Sequence, residues 1–398
     1  MKIGYLHIGI LQSAESGVTR YGRFIAAEAH RRPDLSVIEA DVSLTNDRQH
    51  NRLMLTTAAR QLFGADVVHI QYGKHIWGGG WRQLRDLWSF ISHCSCPLVV
   101  TLHDIYPSTY PPYSLTTALV REYKLQLQYK AGVIKTLGRT VRTTWRDFLA
   151  DTLALRWLSS RAQVILVCTE EEAQRLGDRV DSRKLKVLPH FVEERTVTIS
   201  PLETRAALGL EGAKIVTLQG FIYRDKGHRL MIEAMPKLPQ DVKVVFAGGP
   251  APNQESLVHE LLKLAEAKGV ADRLRVTGYL SDEELERYLV ATDLAVCPFK
   301  MFSASGSLST WISLARPVLA SDLPQIAEYN RIEPGAINTF NPYTTQALAE
   351  AIQQLLPMCQ ESVDPAVARL REQLSMPKIF DEHLNLYHAA TKPIQSNF

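Results

Sequence analysis

Short apolar, β-branched runs alternate with longer stretches of helical periodicity along the whole chain. Because most of these runs are apolar throughout, they predict parallel strands that helices cover on both faces. A repeated strand–helix–strand order of this kind produces open, doubly wound α/β sheets. The predicted strands form two series, which are Lys2–Ile10, Ala65–Gln71, Pro97–His103, Gln163–Cys168 and Lys184–Pro189, then Ala213–Gln219, Val242–Ala247, Arg275–Thr277, Asp293–Pro298 and Pro317–Ser321.

The length of 398 residues exceeds what one ordinary core needs and favours two or three domains. Residues 190–200 separate the two strand series and lack helical periodicity, so we interpret them as an interdomain linker. Helix starts are predicted at Ser200 and Ser281, because a glutamate follows each serine by three residues, as in a capping box. These glutamates are Glu203 and Glu284.

The composition is that of a soluble globular protein, with 22% charged residues and a net charge of only +3. That charge gives no indication of nucleic-acid binding. The five cysteines are scattered and are predicted to be reduced. The chain opens with a strand-like run, without a basic-then-apolar leader, and has no apolar run long enough to cross a bilayer, so we predict a cytoplasmic protein.

The first strand-to-helix turn, residues 11–20, does not match the GxGxxG fingerprint of dinucleotide-binding domains, and the chain has no Walker GxxxxGK[ST] sequence. Standard dinucleotide and ATP sites are therefore disfavoured. Gly17 still permits a diphosphate or a sugar to approach backbone amides at a helix start, although a glycine at a helix start is also common without any ligand.

Residues 121–161 do not follow the alternation of short strands and helices. Between Arg121 and Arg161 there are nine Lys or Arg and three acidic residues, interleaved with apolar side chains such as Leu137, Val141 and Trp145. Such a basic amphipathic helix can lie on an anionic membrane surface. It can equally be a solvated basic helix beside the acceptor site, and the sequence leaves both alternatives open.

Three segments of the second half could hold phosphate. Arg224 and Lys226 follow the strand that ends at Gln219, at the edge of a parallel sheet where ligands bind, and two cations there suit a diphosphate leaving group. Gly248 lies in a glycine turn after the strand Val242–Ala247, which gives a ligand access to backbone. The segment SASGSLSTW begins a helix near Ser305, whose free N–H groups and dipole favour phosphate oxygens.

In the first half, His103 ends a buried strand and is followed by Asp104. The imidazole could hydrogen-bond a sugar hydroxyl or orient the reaction, or it could be a satisfied histidine at a strand end. His69 lies within the preceding strand and is interpreted as structural.

Six blocks in order and spacing resemble the retaining GT-B glycosyltransferases of family 4, over nearly the whole chain. They are SGVTRYGRFIAAEA, ADVVHIQYGKHIWGGG, PLVVTLHDIYP, GFIYRDKGHRLMIEAMPKLPQDVKVVFAGGP, LRVTGYLSDEELERYLVATDLAVCPF and SASGSLSTWISLARPVLASDLP. The resemblance implies two Rossmann-like domains that face a central cleft, an acceptor domain of residues 1–190 and a donor domain of residues 200–375. The ending MPKIFDEHLNLYHAA is similar to the closing helix of that family, so residues 376–398 are expected to return to the first domain.

The resemblance also implies residue roles. Lys226, with Arg224 as a helper, would contact the donor diphosphate, and His103 would touch the transferred sugar. The donor-binding positions that it implies are Gly17, Gly278, Tyr279, Leu280, Ser305, Gly306, Ser307 and Leu308; Gly248 is added from the glycine turn alone, which is also ordinary loop chemistry. Three of these, Gly278, Tyr279 and Leu280, would line the base, and Ser305 to Leu308 would present helix-start amides.

Some family positions differ here. Phe302 and Thr310 stand where the family often has two glutamates, Phe221 replaces a frequent arginine, and Ala315 replaces a helix-ending glycine. The SASGSLS form resembles a subgroup in which small residues replace the acidic motif.

The resemblance therefore implies a retaining transfer of a hexose from a UDP- or GDP-linked donor to a glycan or a lipid-linked acceptor, in cell-surface polysaccharide assembly, and we predict that the transfer needs no metal and no cofactor. No DxD-like carboxylate pair ends a predicted strand to hold a metal ion. The alternatives are a non-catalytic GT-B subunit or sugar-nucleotide-binding protein, and a sugar-nucleotide epimerase.

Overall fold

A computed structural model describes residues 1–10, 16–103, 105, 119–120, 123, 133–195, 199–251, 254–301, 305–359 and 363–392. The chain divides into two compact units. The first unit consists of residues 1–189 and 376–398, and the second of residues 190–375. The positions Asp104, Phe302, Ser303 and Ala304, and most of 121–132, lie outside the described residues.

The first unit is built on a parallel six-stranded sheet in the order β2-β1-β3-β4-β5-β6. Its strands are β1 Lys2–Ile10, β2 Ser36–Leu44, β3 Val67–Tyr72, β4 Leu98–Leu102, β5 Val164–Val167 and β6 Leu185–Val187. Its helices within residues 1–189 are α1 Gly17–Arg31, α2 Arg48–Gln61, α3 Gly80–Ile91, α4 Val133–Arg161 and α5 Glu170–Leu176. All side chains of β3 and β4 are buried, as expected for central strands covered on both faces.

The second unit has a parallel six-stranded sheet in the order β12-β11-β10-β7-β8-β9. Its strands are β7 Lys214–Gln219, β8 Val242–Ala247, β9 Leu274–Val276, β10 Leu294–Cys297, β11 Val318–Ser321 and β12 Asn338–Phe340. Its helices are α6 Pro201–Leu208, α7 His228–Ala234, α8 Glu255–Ala267, α9 Asp282–Ala291, α10 Gly306–Ser313, α11 Pro324–Ile332, α12 Thr345–Leu355 and α13 Pro365–Gln373. The last helix, α14 Met376–Thr391, belongs to the first unit.

All ten predicted strands are present, but each sheet also has an edge strand that the apolar pattern did not reveal. In β2 the burial alternates toward its end, and Asp41 and Ser43 face solvent, since this strand has a neighbour on one side only. The other missed strand, β12, has only three residues and also lies at an edge. Edge strands need no continuous apolar run, so the criterion used for central strands fails there.

Residues 190–192, predicted as part of a linker, are packed into the second unit. The side chain of Phe191 is fully buried, and the N–H of Val192 donates to the carbonyl oxygen of Leu374 at 2.8 Å. The predicted helix starts at Ser200 and Ser281 are confirmed, and Ser281 forms a complete capping box with Glu284. Among the described residues, no helix is both long enough and apolar enough to span a membrane.

Candidate active site

Lys226 lies at the carboxyl edge of the second sheet, in a single 3-10 turn, Arg224–Lys226, that follows β7. Its side chain is buried, and Nζ donates to the hydroxyl of Ser307 at 2.5 Å. Strands β7 and β10 are neighbours in the sheet, so the loop after β7 and the helix that follows β10, which is α10, end at the same edge. Within the described part of the chain, no carboxylate forms an ion pair with Lys226. We call Lys226, Ser307 and the first turn of α10 the lysine–serine site.

The surroundings of Lys226 disfavour its charged form without fully neutralising it at neutral pH. Burial lowers the pKa of Lys226 to about 8. The neighbouring Cys297 thiol cannot compensate, because burial raises its pKa to about 12 and keeps it neutral. Burial, reinforced by the charge of Lys226, lowers the pKa of His228 to about 3, so this imidazole is also uncharged. A buried cation without a counter-charge is costly unless a ligand supplies the anion, and such groups mark candidate sites.

The start of α10 supplies hydrogen-bond donors next to this cation. Ser305 is the N-cap, and its hydroxyl accepts from the N–H of Leu308 at 3.2 Å. The N–H groups of Gly306 and Ser307 precede the first intrahelical bonds and have no acceptor within the helix. Leu308 is fully buried and anchors this turn in the core. Together, a lysine, a serine hydroxyl and two helix-start amides form a site suited to phosphate oxygens.

Gly220 makes room for the lysine head group. It has a φ of +98°, and a Cβ at this position would lie 2.7 Å from Nζ of Lys226 and 3.0 Å from Oγ of Ser307. Gly248, at the end of β8, packs against the same loop, because its Cβ would lie 2.3 Å from the carbonyl oxygen of Gly220. A side chain at either position would collide with this loop.

A second group of predicted residues lies on the neighbouring loop after β9. Tyr279 is two-thirds exposed, and its hydroxyl donates to the carbonyl oxygen of Pro250 at 2.6 Å. The ring meets Phe221 edge-on at 6.4 Å between centroids. Gly278 has a φ of +76°, and Leu280 packs on a small apolar cluster of this unit. The Tyr279 ring is thus held through its hydroxyl and remains exposed to solvent, so a nucleotide base could stack on it.

Arg224 lies in the same turn as Lys226 but is directed elsewhere. Its guanidinium is two-thirds exposed and pairs with Glu260 on α8, with the closest atoms 3.3 Å apart. Its predicted role beside the diphosphate stays a prediction that would require this exposed pair to separate. Among the described residues, no cluster of three or more His, Cys, Asp or Glu is arranged to hold a metal ion.

In the first unit, His103 follows β4 and is buried. Its Nε2 lies 2.8 Å from Oε1 of Gln71, and its ring meets Tyr21 of α1 edge-on at 5.1 Å. An amide oxygen can only accept, so Nε2 of His103 carries a proton that it donates to Gln71. Gln71 therefore fixes the ring orientation of the residue predicted to touch the sugar.

The polar chain continues from Gln71 to the last helix. Gln71 Nε2 lies 3.2 Å from Nε2 of His69, whose Nδ1 lies 2.7 Å from the hydroxyl of Tyr387 on α14. Burial, with a smaller electrostatic effect of neighbouring histidines, lowers the pKa of His69 well below its usual range, so the ring is neutral. The sequence correctly placed His69 inside a strand but missed Gln71 and Tyr387 as its partners. Polar side chains within an apolar strand were the available signal for Gln71.

Gly17 is the first residue of α1 and is exposed. The preceding Ser16 caps the helix by accepting from the N–H of Thr19 at 3.1 Å. The structure thus confirms a helix start with open space around Gly17, while its contact with a donor stays a prediction.

Replacing Gln71 with leucine is expected to lower the free energy of unfolding by about 1–3 kcal/mol, because it removes the buried hydrogen bonds that the amide makes with His103 and His69. Urea denaturation monitored by tryptophan fluorescence measures this change. The control is Gln174→Leu, which replaces an exposed glutamine of the same unit. Equal stability of the two variants would show that the amide is dispensable.

The chain matches two families in sequence. Residues 22–195 match Glycosyltransferase Family 4, and residues 212–357 match Glycosyl transferases group 1. The alpha-D-kanosaminyltransferase of Streptomyces kanamyceticus is 30% identical over 159 residues, which are 39% of this chain and 39% of that protein. The D-inositol 3-phosphate glycosyltransferase of Mycolicibacterium gilvum is 34% identical over 141 residues, which are 34% of this chain and 32% of that protein. The matched part thus spans less than two fifths of either relative.

Solved structures extend the similarity to nearly the whole chain. Anabaena Alr3699/HepE, solved in complex with UDP and glucose, has a TM-score of 0.71 and 14% identity, and the match covers 98% of this chain and 100% of that one. WaaG, a glycosyltransferase involved in lipopolysaccharide biosynthesis, has a TM-score of 0.58 and 16% identity, and the match covers 99% and 100%. At these identities the likeness shows the fold.

The two parallel sheets and the likeness to solved structures show a GT-B fold, and each half of the chain matches a family of glycosyltransferase domains. The chain combines a Family 4 domain in its first half with a group 1 domain in its second. The predicted fold is confirmed.

Proposed function

We propose that this chain transfers a hexosyl group from a nucleoside-diphosphate sugar to a hydroxyl of a glycan or a lipid-linked acceptor. One observation carries the proposal most directly: Lys226 is buried, has no carboxylate partner among the residues that the structure describes, and donates to the hydroxyl of Ser307 at a helix start at 2.5 Å. A donor diphosphate supplies the missing negative charge and accepts hydrogen bonds from the helix-start amides.

The neighbouring residues support the other parts of a donor. The exposed ring of Tyr279, held through its hydroxyl by Pro250, offers a surface on which a base can stack. In the first unit, His103 would contact the transferred sugar, and Gln71 holds its ring. The HepE structure contains UDP and glucose, which favours a UDP-linked sugar as the first donor to test here.

In the proposed reaction, the acceptor oxygen forms a bond to the anomeric carbon while the bond from that carbon to the diphosphate oxygen breaks. The electron pair of the broken bond goes to the leaving phosphate, where Lys226 and the start of α10 stabilise the developing charge. The leaving phosphate takes the proton of the acceptor hydroxyl. Attack on the face from which the phosphate departs gives retention, and this outcome rests on the family resemblance. We propose that no metal is required, because no DxD-like pair follows a strand in the sequence.

The proposed setting is the assembly of a cell-surface polysaccharide on the cytoplasmic side of the membrane. This setting is supported by the fold shared with WaaG, which acts in lipopolysaccharide biosynthesis. Incubating the chain with UDP-, GDP- and ADP-sugars and measuring nucleotide release with and without a glycan or lipid-phosphate acceptor tests the proposal. We expect release from a UDP- or GDP-sugar that depends on the acceptor.

The same assay separates the alternatives. A non-catalytic subunit or binding protein would bind the nucleotide, seen as a thermal shift, without releasing it from the sugar. An epimerase would convert one nucleotide-sugar into another with no acceptor present. Either result would contradict the transfer proposal.

A further inference from the structure

One face of the first sheet, beneath α1 and α14, carries polar and aromatic side chains in its interior. The opposite face of β3 and β4 has an ordinary apolar core. Six buried side chains of the polar face and of α14, which we call the His69 cluster, are hydrogen-bonded to one another: Tyr5, His69, Gln71, Thr101, His103 and Tyr387. Buried polar groups require partners of the correct kind, so the direction of each hydrogen bond in this cluster is constrained.

The hydrogen bonds that lead from His103 toward α14 all run in one direction. The amide oxygen of Gln71 can only accept, so Nε2 of His103 donates to it at 2.8 Å. The amide nitrogen of Gln71 can only donate, so it donates to Nε2 of His69 at 3.2 Å. Nε2 of His69 therefore carries a lone pair, and the hydroxyl of Thr101 donates to the same nitrogen at 2.8 Å.

The ring of His69 is neutral, so its single proton lies on Nδ1. Burial lowers the pKa of His69 well below its usual range, and it also lowers the pKa values of the neighbouring imidazoles His7 and His383. Nδ1 of His69 donates its proton to the hydroxyl oxygen of Tyr387 at 2.7 Å. The hydroxyl of Tyr5 points at the same oxygen from 3.4 Å, and burial raises the pKa of both phenols, so neither is ionised. Tyr387 of α14 is thus the acceptor at the end of the chain of hydrogen bonds.

Helix α1 packs directly on the middle of this chain of hydrogen bonds. A Cβ on Gly22 would lie only 2.9 Å from Cγ of Gln71. The ring of Tyr21 meets the ring of His103 edge-on at 5.1 Å. Close packing limits the rotation of Gln71 and His103, so the order of donors and acceptors decides which nitrogen of His103 carries the proton.

We propose that His69 and Tyr387 are positioning residues that act through Gln71 to keep the proton of His103 on Nε2. A neutral ring in this tautomer has its lone pair on Nδ1, so it offers the transferred sugar an acceptor for a hydroxyl. The last helix thereby contributes to the sugar site without touching the sugar. This role in transfer rests on the proposed function, whereas the position of the proton can be measured without a donor.

Ring ¹⁵N chemical shifts of the full chain, labelled in histidine, test the position of the proton, because a protonated and a bare ring nitrogen differ widely in shift. His103→Phe and His69→Phe variants assign the two rings. We expect a proton on Nε2 of His103 and on Nδ1 of His69 in the unmodified chain. Tyr387→Phe removes the acceptor of the His69 proton and would leave a buried donor unpaired. In that variant the proton of His69 should move to Nε2, the amide of Gln71 should reverse, and the proton of His103 should move to Nδ1.

Tyr72→Phe is the matched control for the loss of a buried phenol hydroxyl. Tyr72 is also buried and lies on β3, but its hydroxyl donates to Gln83 at 3.2 Å on the opposite face of the sheet. This control should leave the tautomers of both imidazoles and the turnover unchanged. A single cooperative transition in urea shows that each variant is folded.

Steady-state release of nucleotide from the preferred donor tests the role in transfer. Tyr387→Phe should lower kcat/KM at least about tenfold, because loss of a group that orients a functional imidazole typically costs this much. In a chain that also carries His103→Ala, the same substitution should change kcat/KM less than about twofold, since its effect passes through the imidazole.

Three results would overturn the proposal. The first is a proton on Nδ1 of His103 in the unmodified chain, and the second is a His103 tautomer that survives Tyr387→Phe. The third is an equal loss of kcat/KM from Tyr387→Phe with and without the imidazole of His103, which would identify a merely structural role. If no donor is turned over, the proposed function fails, while the ring shifts still decide the positions of the protons.

Discussion

Replacing Lys226 with methionine is expected to lower kcat about 10²–10³-fold, the usual effect of removing one group that stabilises charge developing in a transition state. Methionine keeps most of the side-chain volume and removes only the charge and the donor to Ser307. Steady-state release of nucleotide from the preferred donor measures the change. Lys263→Met, at an exposed position on α8, is the control and should keep full turnover. A Lys226→Met enzyme that retained full turnover would remove the central role of this residue.

The same variant should not lose stability at neutral pH. The ammonium is buried and has no carboxylate partner in the described ranges of the chain, so replacing it with an apolar group removes a desolvation cost. The pKa of Lys226 is about 8 in the folded chain, against a usual value of 10.5. Between these two values the unfolded chain binds more protons than the folded one, so this group makes the folded chain more stable as pH rises, by at most about 3 kcal/mol.

Comparing urea unfolding of the unmodified chain and Lys226→Met at several pH values isolates this contribution. The difference in unfolding free energy should favour the variant below pH 8 and shrink as pH rises toward 10.5. A difference that stays constant across this range would show that the lysine has an ordinary pKa. Such a result would mean that the charge of Lys226 is already compensated and that the site does not need an anionic ligand.

Replacing Gly227 with alanine is expected to destabilise the chain by about 3 kcal/mol or more. Gly227 follows Lys226 directly, has a φ of +89°, and packs against the end of β10, so that a Cβ would lie only 2.0 Å from the carbonyl oxygen of Pro298. The carbonyl group of Pro298 belongs to the backbone, so it cannot move aside as the end of a flexible side chain can. The turn would have to move away from β10, and Lys226 would move with it, so nucleotide affinity should fall as well.

Gly209→Ala is the matched control for backbone strain. Gly209 also has a positive φ, +63°, but its added Cβ would meet no atom within 4 Å. Only the strain of a left-handed conformation remains, about 1 kcal/mol. Urea denaturation of both variants measures the difference, and isothermal titration with the nucleotide measures the affinity. Equal destabilisation by the two substitutions would show that contact with Pro298 is unimportant.

The central strands were predictable because strands buried on both faces consist almost entirely of apolar residues. Val242–Ala247 was predicted with both ends correct, since β8 lies between two neighbours in the sheet. The edge strand Ser36–Leu44 was missed because one side of it meets solvent and accepts charged residues. The apolar content of a segment indicates whether both faces of a strand are buried, and it is only indirect evidence that the segment is a strand.

Features of the site that depend on residues close in sequence were predictable, and those that depend on residues distant in sequence were not. A helix start near Ser305 was predictable because Leu308, Trp311, Ile312 and Ala315 follow at helical spacing, and the capping bond there joins residues only three apart. The bond from Lys226 to Ser307 joins residues 81 apart and depends on β7 and β10 being neighbours, which no local pattern states. The partner of Arg224, which is Glu260, and the partner of His103, which is Gln71, depend on packing in the same way.

The most direct test of the lysine–serine site is a crystal structure of the chain bound to UDP or GDP. The diphosphate oxygens should lie about 3 Å from Nζ of Lys226 and from the N–H groups of Gly306 and Ser307, with the base against Tyr279. A diphosphate bound elsewhere, with Lys226 still donating only to Ser307, would contradict the assignment of this site to the donor.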